Sequence, residues 1–291
     1  MKLMTFLAEG KEQVGVVTAD GQGVVPLADH GFLFSDMNAL VETATKEQLA
    51  AMAALAKESG LPLSQVQPLA PIVHPKQDII CLGINYMAHA EESMRYKKEA
   101  FGGDRQFPVY FSKRVTRASA DGDDIPAYAD LISTLDYEAE LAVIIGKDAK
   151  NVAAEDAKDY IFGYTVMNDV TARELQTRHK QWYFGKTLDG FTPLGPVIVT
   201  ADEVAYLPVL KIRSYVNGEL RQNATTDLFI HDIDYVIHEL TQGMTLKAGT
   251  IIATGTPAGV GMGFEPPKFL KSGDEVICEI EGIGRIKNQV K

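Results

Sequence analysis

The chain is predicted to be a mixed α/β protein, mostly β, in which a small meander-plus-helix segment precedes a larger β-rich domain. Three observations predict this class. Short apolar runs of strand length recur through the 291 residues, among them MKLMTFL, QVGVVTA, DIICLGI, GYTVMNDV and KIRSYV. One Ala- and Leu-rich stretch, SDMNALVETATKEQLAAMAALAKES at 35–59, has helical spacing instead. Prolines at 62, 68, 71 and 75 then break the periodicity, which places a boundary near residue 70 and divides the chain into 1–70 and 71–291.

In order, MKLMTFL, QVGVVTA and GVVPL are separated by GKE and ADGQG, and so form a small β-meander. The helical stretch that follows is expected to break once, near Thr45. DIICLGI is a strand feeding a polar-faced helix, NYMAHAEESMRYKKEA, and FPVYFSK is another short strand before the loop-like 114–133. LDYEAELAVIIG and GYTVMNDV are strands, and Thr171 with Glu174 has the T-x-x-E spacing of a capping box for a helix over ARELQTRHKQ. KIRSYV and ELRQNAT flank Asn217-Gly218, the dipeptide favoured in two-residue hairpins. LKAGTIIAT and LKSGDEVICEI repeat one turn-plus-strand device, too few copies for a solenoid.

Composition excludes several classes. Hydrophobic residues at 46% and charged residues at 23% are those of an ordinary soluble protein. No apolar run nears the roughly 18 to 20 residues of a membrane span, and Glu9 interrupts the opening too early for a signal sequence, so a cytoplasmic location is expected. Cys81 and Cys278 lack the spacing of a disulfide framework or zinc site and are expected to be buried free thiols. A net charge of -11 disfavours nucleic acid and anionic membranes as partners. A small anionic ligand would need local positive charge.

Chemistry concentrates in five places. Asp136, Glu138 and Glu140 alternate along one strand and so share a face about 7 Å apart, either as a solvated acidic face or as ligands of one ion. Asp169 ends the next strand; alone it is a helix-start acid, but with Glu138 and Glu140 it completes an all-oxygen site suited to Mg²⁺ or Mn²⁺. His89 and Glu92 share a helix face, as an exposed polar pair or as a base and its orienting acid, after a Gly83–Tyr86 turn that hints at a shaped loop. Lys186, in WYFGKTLDGFTPLGP, is a solvent cation or, beside the acids, a holder of substrate carboxylate or enolate. IIATGTPAGVGMG lacks the Walker and dinucleotide spacings, leaving a tight turn or a nest of N–H groups with Thr254 and Thr256 that grips a carboxylate.

Together GINYMAHAEE, YFSK, LDYEAELAVIIG, GYTVMNDVTARELQ, GKTLDGFTPLGP and ATGTPAGVG resemble the signatures of the fumarylacetoacetate hydrolase family, over roughly 78–263. The first 70 residues resemble the variable N-terminal region of its longer bacterial members. The resemblance implies a twisted mixed β-roll core, a homodimer, and one Mg²⁺ or Mn²⁺ per site. By position it implies Glu138, Glu140 and Asp169 as metal ligands, His89 and Glu92 as the dyad on a lid, and Lys186 as the lysine near the metal. Arg173, Gln176, Lys113 and Thr256 match substrate-facing positions. Where fumarylacetoacetase carries a tyrosine shortly after the TARELQ-like segment, this chain has Lys180, which argues against that substrate.

The function expected from these residues is metal-dependent hydrolysis of a C–C bond in a 2,4-dioxo acid, with His89 and Glu92 activating water and Lys186 helping to hold the enolate. Oxaloacetate decarboxylation, keto–enol tautomerisation and 2-hydroxyhepta-2,4-diene-1,7-dioate-type isomerisation run through the same enolate and stand as alternatives. A module that binds a metal-chelated carboxylate without turnover, and a structural β protein with an acidic surface, are rivals of another class.

Overall fold

The computed structural model describes residues 1–97 and 107–291. Its N-terminal part is the expected meander, β1 (Lys2–Ala8), β2 (Lys11–Val17) and β3 (Gly23–Pro26), each antiparallel to the next. Helices α1 (Met37–Thr43) and α2 (Lys46–Ala54) follow, and the break between them has a local cause. Thr45 is in extended backbone and caps α2 in a full capping box with Gln48. Short strands β4 (Leu61–Pro62) and β5 (Gln67–Leu69) lead into β6 (Ile79–Gly83), α3 (Met87–Lys97), β7 (Val109–Lys113) and β8 (Asp124–Ile125). Lys98–Ala100, the last residues of the helix expected there, lie outside the described residues.

The strand expected over LDYEAELAVIIG is split into β9 (Leu135–Asp136) and β10 (Ala139–Ile145), with Tyr137 and Glu138 outside both ladders. Next come β11 (Ile161–Asn168), β12 (Thr171–Ala172), α4 (Arg173–Arg178), α5 (Tyr183–Lys186) and β13 (Leu194–Thr200). The capping box expected from Thr171 and Glu174 does not form. The Thr171 hydroxyl donates to the Asp169 carbonyl, Ala172 is the residue before the helix, and the Glu174 N–H donates to Thr134 Oγ1. The helix is also shorter than ARELQTRHKQ. The last elements are the hairpin β14 (Lys211–Val216) and β15 (Glu219–Thr225), then α6 (Ile233–Gly243), β16 (Ile251–Ala253), β17 (Glu275–Ile280) and β18 (Gly284–Val290). Asn217 and Gly218, both at positive φ (51° and 80°), make the two-residue turn that the sequence predicts.

The strands form two large open sheets. An eleven-stranded sheet runs β4-β3-β2-β1-β13-β11-β10-β16-β6-β7 with β5 beside β1, and a five-stranded sheet runs β15-β14-β17-β18-β8. Antiparallel pairing of β1 with β13, Lys2 opposite Val199 and Leu3 opposite Ile198, makes the meander continuous with the large sheet. The two LK-x-G units end in different sheets, β16 in the large and β17 in the small.

Two cores flank the large sheet. Leu141, Val143 and Ile145 of β10 join Ile212, Cys278 and Ile286 of the small sheet, while Ala142 and Ile144 join Leu40 and Met52 of the helices. Every residue of β10 and β11 is buried, so the strands that carry the acids are covered on both faces, which accounts for the near-continuous apolar run of LAVII. Both cysteines are buried and free. No described helix is long and apolar enough to cross a membrane.

Two-sided burial has a measurable consequence. Ile144→Ala and Ile145→Ala lie on opposite faces of β10, and each is expected to lower unfolding stability by about 2–5 kcal/mol. Urea midpoints at unchanged slope test this; a strand with one solvated face would show the loss at one position only.

Candidate active site

Glu138, Glu140 and Asp169 come together although the chain between them makes a full excursion through β10 and β11. Pairing of Ala139 with Asn168 brings the two ends into register. Two further bonds lock them: the Glu138 N–H donates to Asn168 Oδ1 (3.0 Å) and the Asp169 N–H to the Glu138 carbonyl (2.9 Å). All three carboxylates are buried, and one oxygen from each lies within 4.8 Å of the others.

Three buried cations face this cluster. Lys186 Nζ donates to Glu138 Oε2 (2.6 Å) and Asp169 Oδ2 (2.5 Å). Lys113 Nζ donates to Asp169 Oδ1 (2.6 Å) and to the Val170 carbonyl (3.1 Å). Arg173 Nη1 is 2.6 Å from Glu138 Oε1, and its Nε donates to Asp136 Oδ2 (2.8 Å). Among the described residues Glu140 has no such partner and accepts the Gly255 N–H (2.8 Å).

The titration of each group follows. Burial acts to raise the Glu138 pKa, but Lys186 and Arg173 together outweigh it and hold that carboxyl below its usual range. Burial and then the charges of Asp169 and Glu138 push Glu140 well above 4.5. Burial opposes the charge of Lys186, yet Asp169 and Glu138 hold its pKa above the usual lysine value. For Lys113 burial prevails over Asp169, and its pKa is lowered.

Asp136 departs from the expected alternation. Because the backbone leaves the ladder at Tyr137 and Glu138, its carboxylate turns away from the cluster and accepts the N–H groups of Gly261 (2.6 Å) and Met262 (3.0 Å) as well as Arg173. The Gly-rich loop is indeed a nest of N–H groups, but the carboxylates it grips belong to the protein: Glu140 through Gly255, Glu92 through Gly259, and Asp136. The hydroxyls of Thr254 and Thr256 donate to the Leu141 and Ala139 carbonyls, so the loop runs alongside the acid strand residue by residue.

His89 and Glu92 are buried on α3, with His89 Nδ1 3.5 Å from Glu92 Oε2. The start of α3 is held by Asn85, whose side-chain amide donates to the His231 and Thr254 carbonyls and accepts the His231 N–H. Ile84, just before it, is at φ 61°. One cleft with about 350 Å³ of empty space is lined by His89, Glu138, Glu140, Arg173, Gln176, Lys186 and Thr256, among others. Lys113 is not among the lining residues; it sits fully buried against Asp169. Lys180 is exposed at the turn after α4. Sequence reasoning passed over Trp182, which lines the cleft edge-on to Phe111 (ring centroids 5.3 Å apart). Its signal was available: it is the only tryptophan, four residues before Lys186.

An oxygen-only donor set with one carboxylate lacking a cationic partner among the described residues fits Mg²⁺ or Mn²⁺, and Glu138, Glu140 and Asp169 would hold it. After chelation, the raised Glu140 pKa means the folded state keeps a proton that the unfolded chain has lost. That contribution to stability is present below about pH 4.5 and is lost as pH rises through the folded value. Glu140→Gln is therefore expected to melt progressively higher than chelated wild type as pH rises above 4.5, and to gain no stability from added Mn²⁺. Melting curves across pH, with and without Mn²⁺, check both parts.

The family model described as fumarylacetoacetate (FAA) hydrolase C-terminal matches residues 78–291. The chain is 46% identical to oxaloacetate tautomerase YisK of Bacillus subtilis (strain 168) over 231 residues, 78% of this chain and 74% of the relative. It is 40% identical to a mitochondrial oxaloacetate tautomerase of Rattus norvegicus over 296 residues, 100% of this chain and 91% of the relative. Fumarylacetoacetate hydrolase from psychrophilic Exiguobacterium antarcticum has a similar structure, with a TM-score of 0.83 at 38% identity over 100% of this chain and 99% of that one. So does maleylpyruvate hydrolase from Sphingobium sp. SYK-6, solved with manganese (II) ion and pyruvate, with a TM-score of 0.79 at 32% identity over 100% and 98%. On its sequence, its fold and the residues gathered in its cleft, the chain belongs to the fumarylacetoacetate hydrolase family.

Proposed function

We propose that the protein is a Mg²⁺- or Mn²⁺-dependent enzyme that interconverts the keto and enol forms of oxaloacetate or a close 2-oxo dicarboxylate. The observation that carries this reading is that His89 and the Glu138–Glu140–Asp169 cluster line or adjoin one small cleft. Tautomerisation needs one proton moved between C3 and the 2-oxo oxygen, and this arrangement has a proton carrier on one side and charge stabilisation on the other. The tautomerases named above, at 46% and 40% identity, support the substrate.

Each residue then has a task. With His89 Nδ1 turned to Glu92, Nε2 is the nitrogen left to take or give the C3 proton. Arg173 lines the cleft with its Nη2 buried and without a partner among the described residues, a donor suited to a substrate carboxylate. The Lys186 ammonium favours negative charge developing on the 2-oxo oxygen, and Gln176 and Thr256 orient the remaining oxygens. A divalent cation on the three carboxylates would supply Lewis-acid polarisation of the 2-oxo group. Lys113 acts at one remove, by holding Asp169.

Hydrolysis of a C–C bond, the reaction expected from the sequence, is the second reading. The His89–Glu92 pair favours it, since such a pair also activates water, and so does the likeness to the maleylpyruvate hydrolase.

The Mn²⁺-loaded protein is expected to accelerate loss of the ultraviolet enol signal of oxaloacetate without releasing pyruvate or carbon dioxide. His89→Ala should lower that rate by about 10²–10⁴-fold while leaving Mn²⁺ affinity near wild type. Carbon dioxide release would make it a decarboxylase, cleavage of acetylpyruvate or fumarylpyruvate a hydrolase, and Mn²⁺ binding without turnover a binding protein. Trp182 offers an independent readout: titration of the Mn²⁺-loaded protein with oxalate is expected to give a saturable change in tryptophan fluorescence, absent in Glu138→Gln.

A further inference from the structure

Tyr137 stands between two acids of the site and touches neither the cleft nor the cluster, yet its ring is fully buried and its hydroxyl is committed. It donates to the Gly259 carbonyl at 2.8 Å. The N–H of the same glycine donates to Glu92 Oε1 at 2.8 Å, and the other oxygen of Glu92 faces His89 Nδ1. A chain of contacts thus runs from the acid strand through one loop glycine to the pair assigned to proton transfer.

Gly259 is the joint of this chain, and its backbone is tightly constrained. Its φ of +104° is a conformation that side-chain-bearing residues rarely adopt, and a Cβ there would come within 2.0 Å of the Arg221 carbonyl. A glycine has no side chain with which to hold its own backbone and samples φ/ψ widely when nothing restrains it. The Tyr137 hydrogen bond is one restraint on it, beside its close packing against the Arg221 backbone.

We infer that Tyr137 is a positioning residue for proton transfer: by holding Gly259 it aims the Gly259 N–H at Glu92, and through Glu92 it fixes the His89 ring. Asp136, Tyr137 and Glu138 then register the two halves of the site, since one short segment sets a metal-facing carboxylate and the orientation of the base. The inference rests on the proposed role of His89 and Glu92.

A double-mutant cycle in the Mn²⁺-loaded enzyme, with oxaloacetate ketonisation as the assay, tests it. Tyr137→Phe keeps the ring and removes only the hydroxyl. It is expected to lower kcat by about 3- to 10-fold, the scale of one lost hydrogen bond, with KM and Mn²⁺ affinity within about twofold of wild type. In a Glu92→Gln background the same change should alter kcat by less than about twofold, because the carboxylate it positions is gone. Hydrogen exchange gives a second, activity-free measurement: the Gly259 amide should exchange faster in Tyr137→Phe while the Gly255 amide, bonded to Glu140, does not. Equal losses in both backgrounds, a loss confined to Mn²⁺ affinity or KM, or uniform acceleration of exchange would overturn the inference and leave Tyr137 a structural residue. Wild-type turnover by Glu92→Gln would instead overturn the role of the pair itself, and the inference with it.

Discussion

The arrangement depends on keeping three carboxylates out of water within 4.8 Å of one another. At that separation two like charges repel by about 3 kcal/mol even in a fairly polarisable interior, a large share of the stability of a typical domain. The protein meets this by burying Lys113, Arg173 and Lys186 among the acids, each within hydrogen-bonding reach of at least one carboxylate. With Asp136 counted, four acids face three bases. The imbalance falls on Glu140, held among the described residues by a backbone N–H, and a divalent cation on the three carboxylates would correct it.

The fold makes that crowding possible by leaving the acid strand no freedom. The strand from Ala139 to Ile145 is paired on both edges and covered on both faces, and the Gly-rich loop lies along its extension, contact by contact, from Leu141–Thr254 to Asp136–Gly261. The loop serves two structures at once. One of its sides fixes the acid strand, and the other reaches Glu92 on a helix whose start is tied by Asn85 to the same loop. The carboxylate cluster and the His89–Glu92 pair are therefore mounted on shared backbone, although they come from segments more than forty residues apart in the chain.

On the proposed reading, such a site commits to enolate chemistry before it commits to a reaction. Charge stabilisation beside a 2-oxo acid and one histidine able to move a proton serve tautomerisation and C–C cleavage alike. What separates them is whether water shares the cleft with the substrate, and Phe111 and Trp182 give the cleft an aromatic wall.

Much of this was legible in the residues because the determining interactions are local. The break at Thr45, the turn at Asn217-Gly218 and the close of the strand that ends beside Asp169 follow from spacing over a few residues, and acids gathered at strand ends point to a candidate ion site. Asp136 shows the limit: it has the same alternation as Glu138 and Glu140, but the strand breaks between them and distant N–H groups claim its carboxylate. Thr171 and Glu174 show it again, since a correct capping spacing lost to an Asp169 carbonyl and a Thr134 hydroxyl. The sequence by itself determined the fold class and the family, which depend on residue type and short-range order. The tertiary structure alone decided where each buried charge finds its partner, because electrostatic and hydrogen-bond energies depend on distances set by chain segments that spacing does not relate.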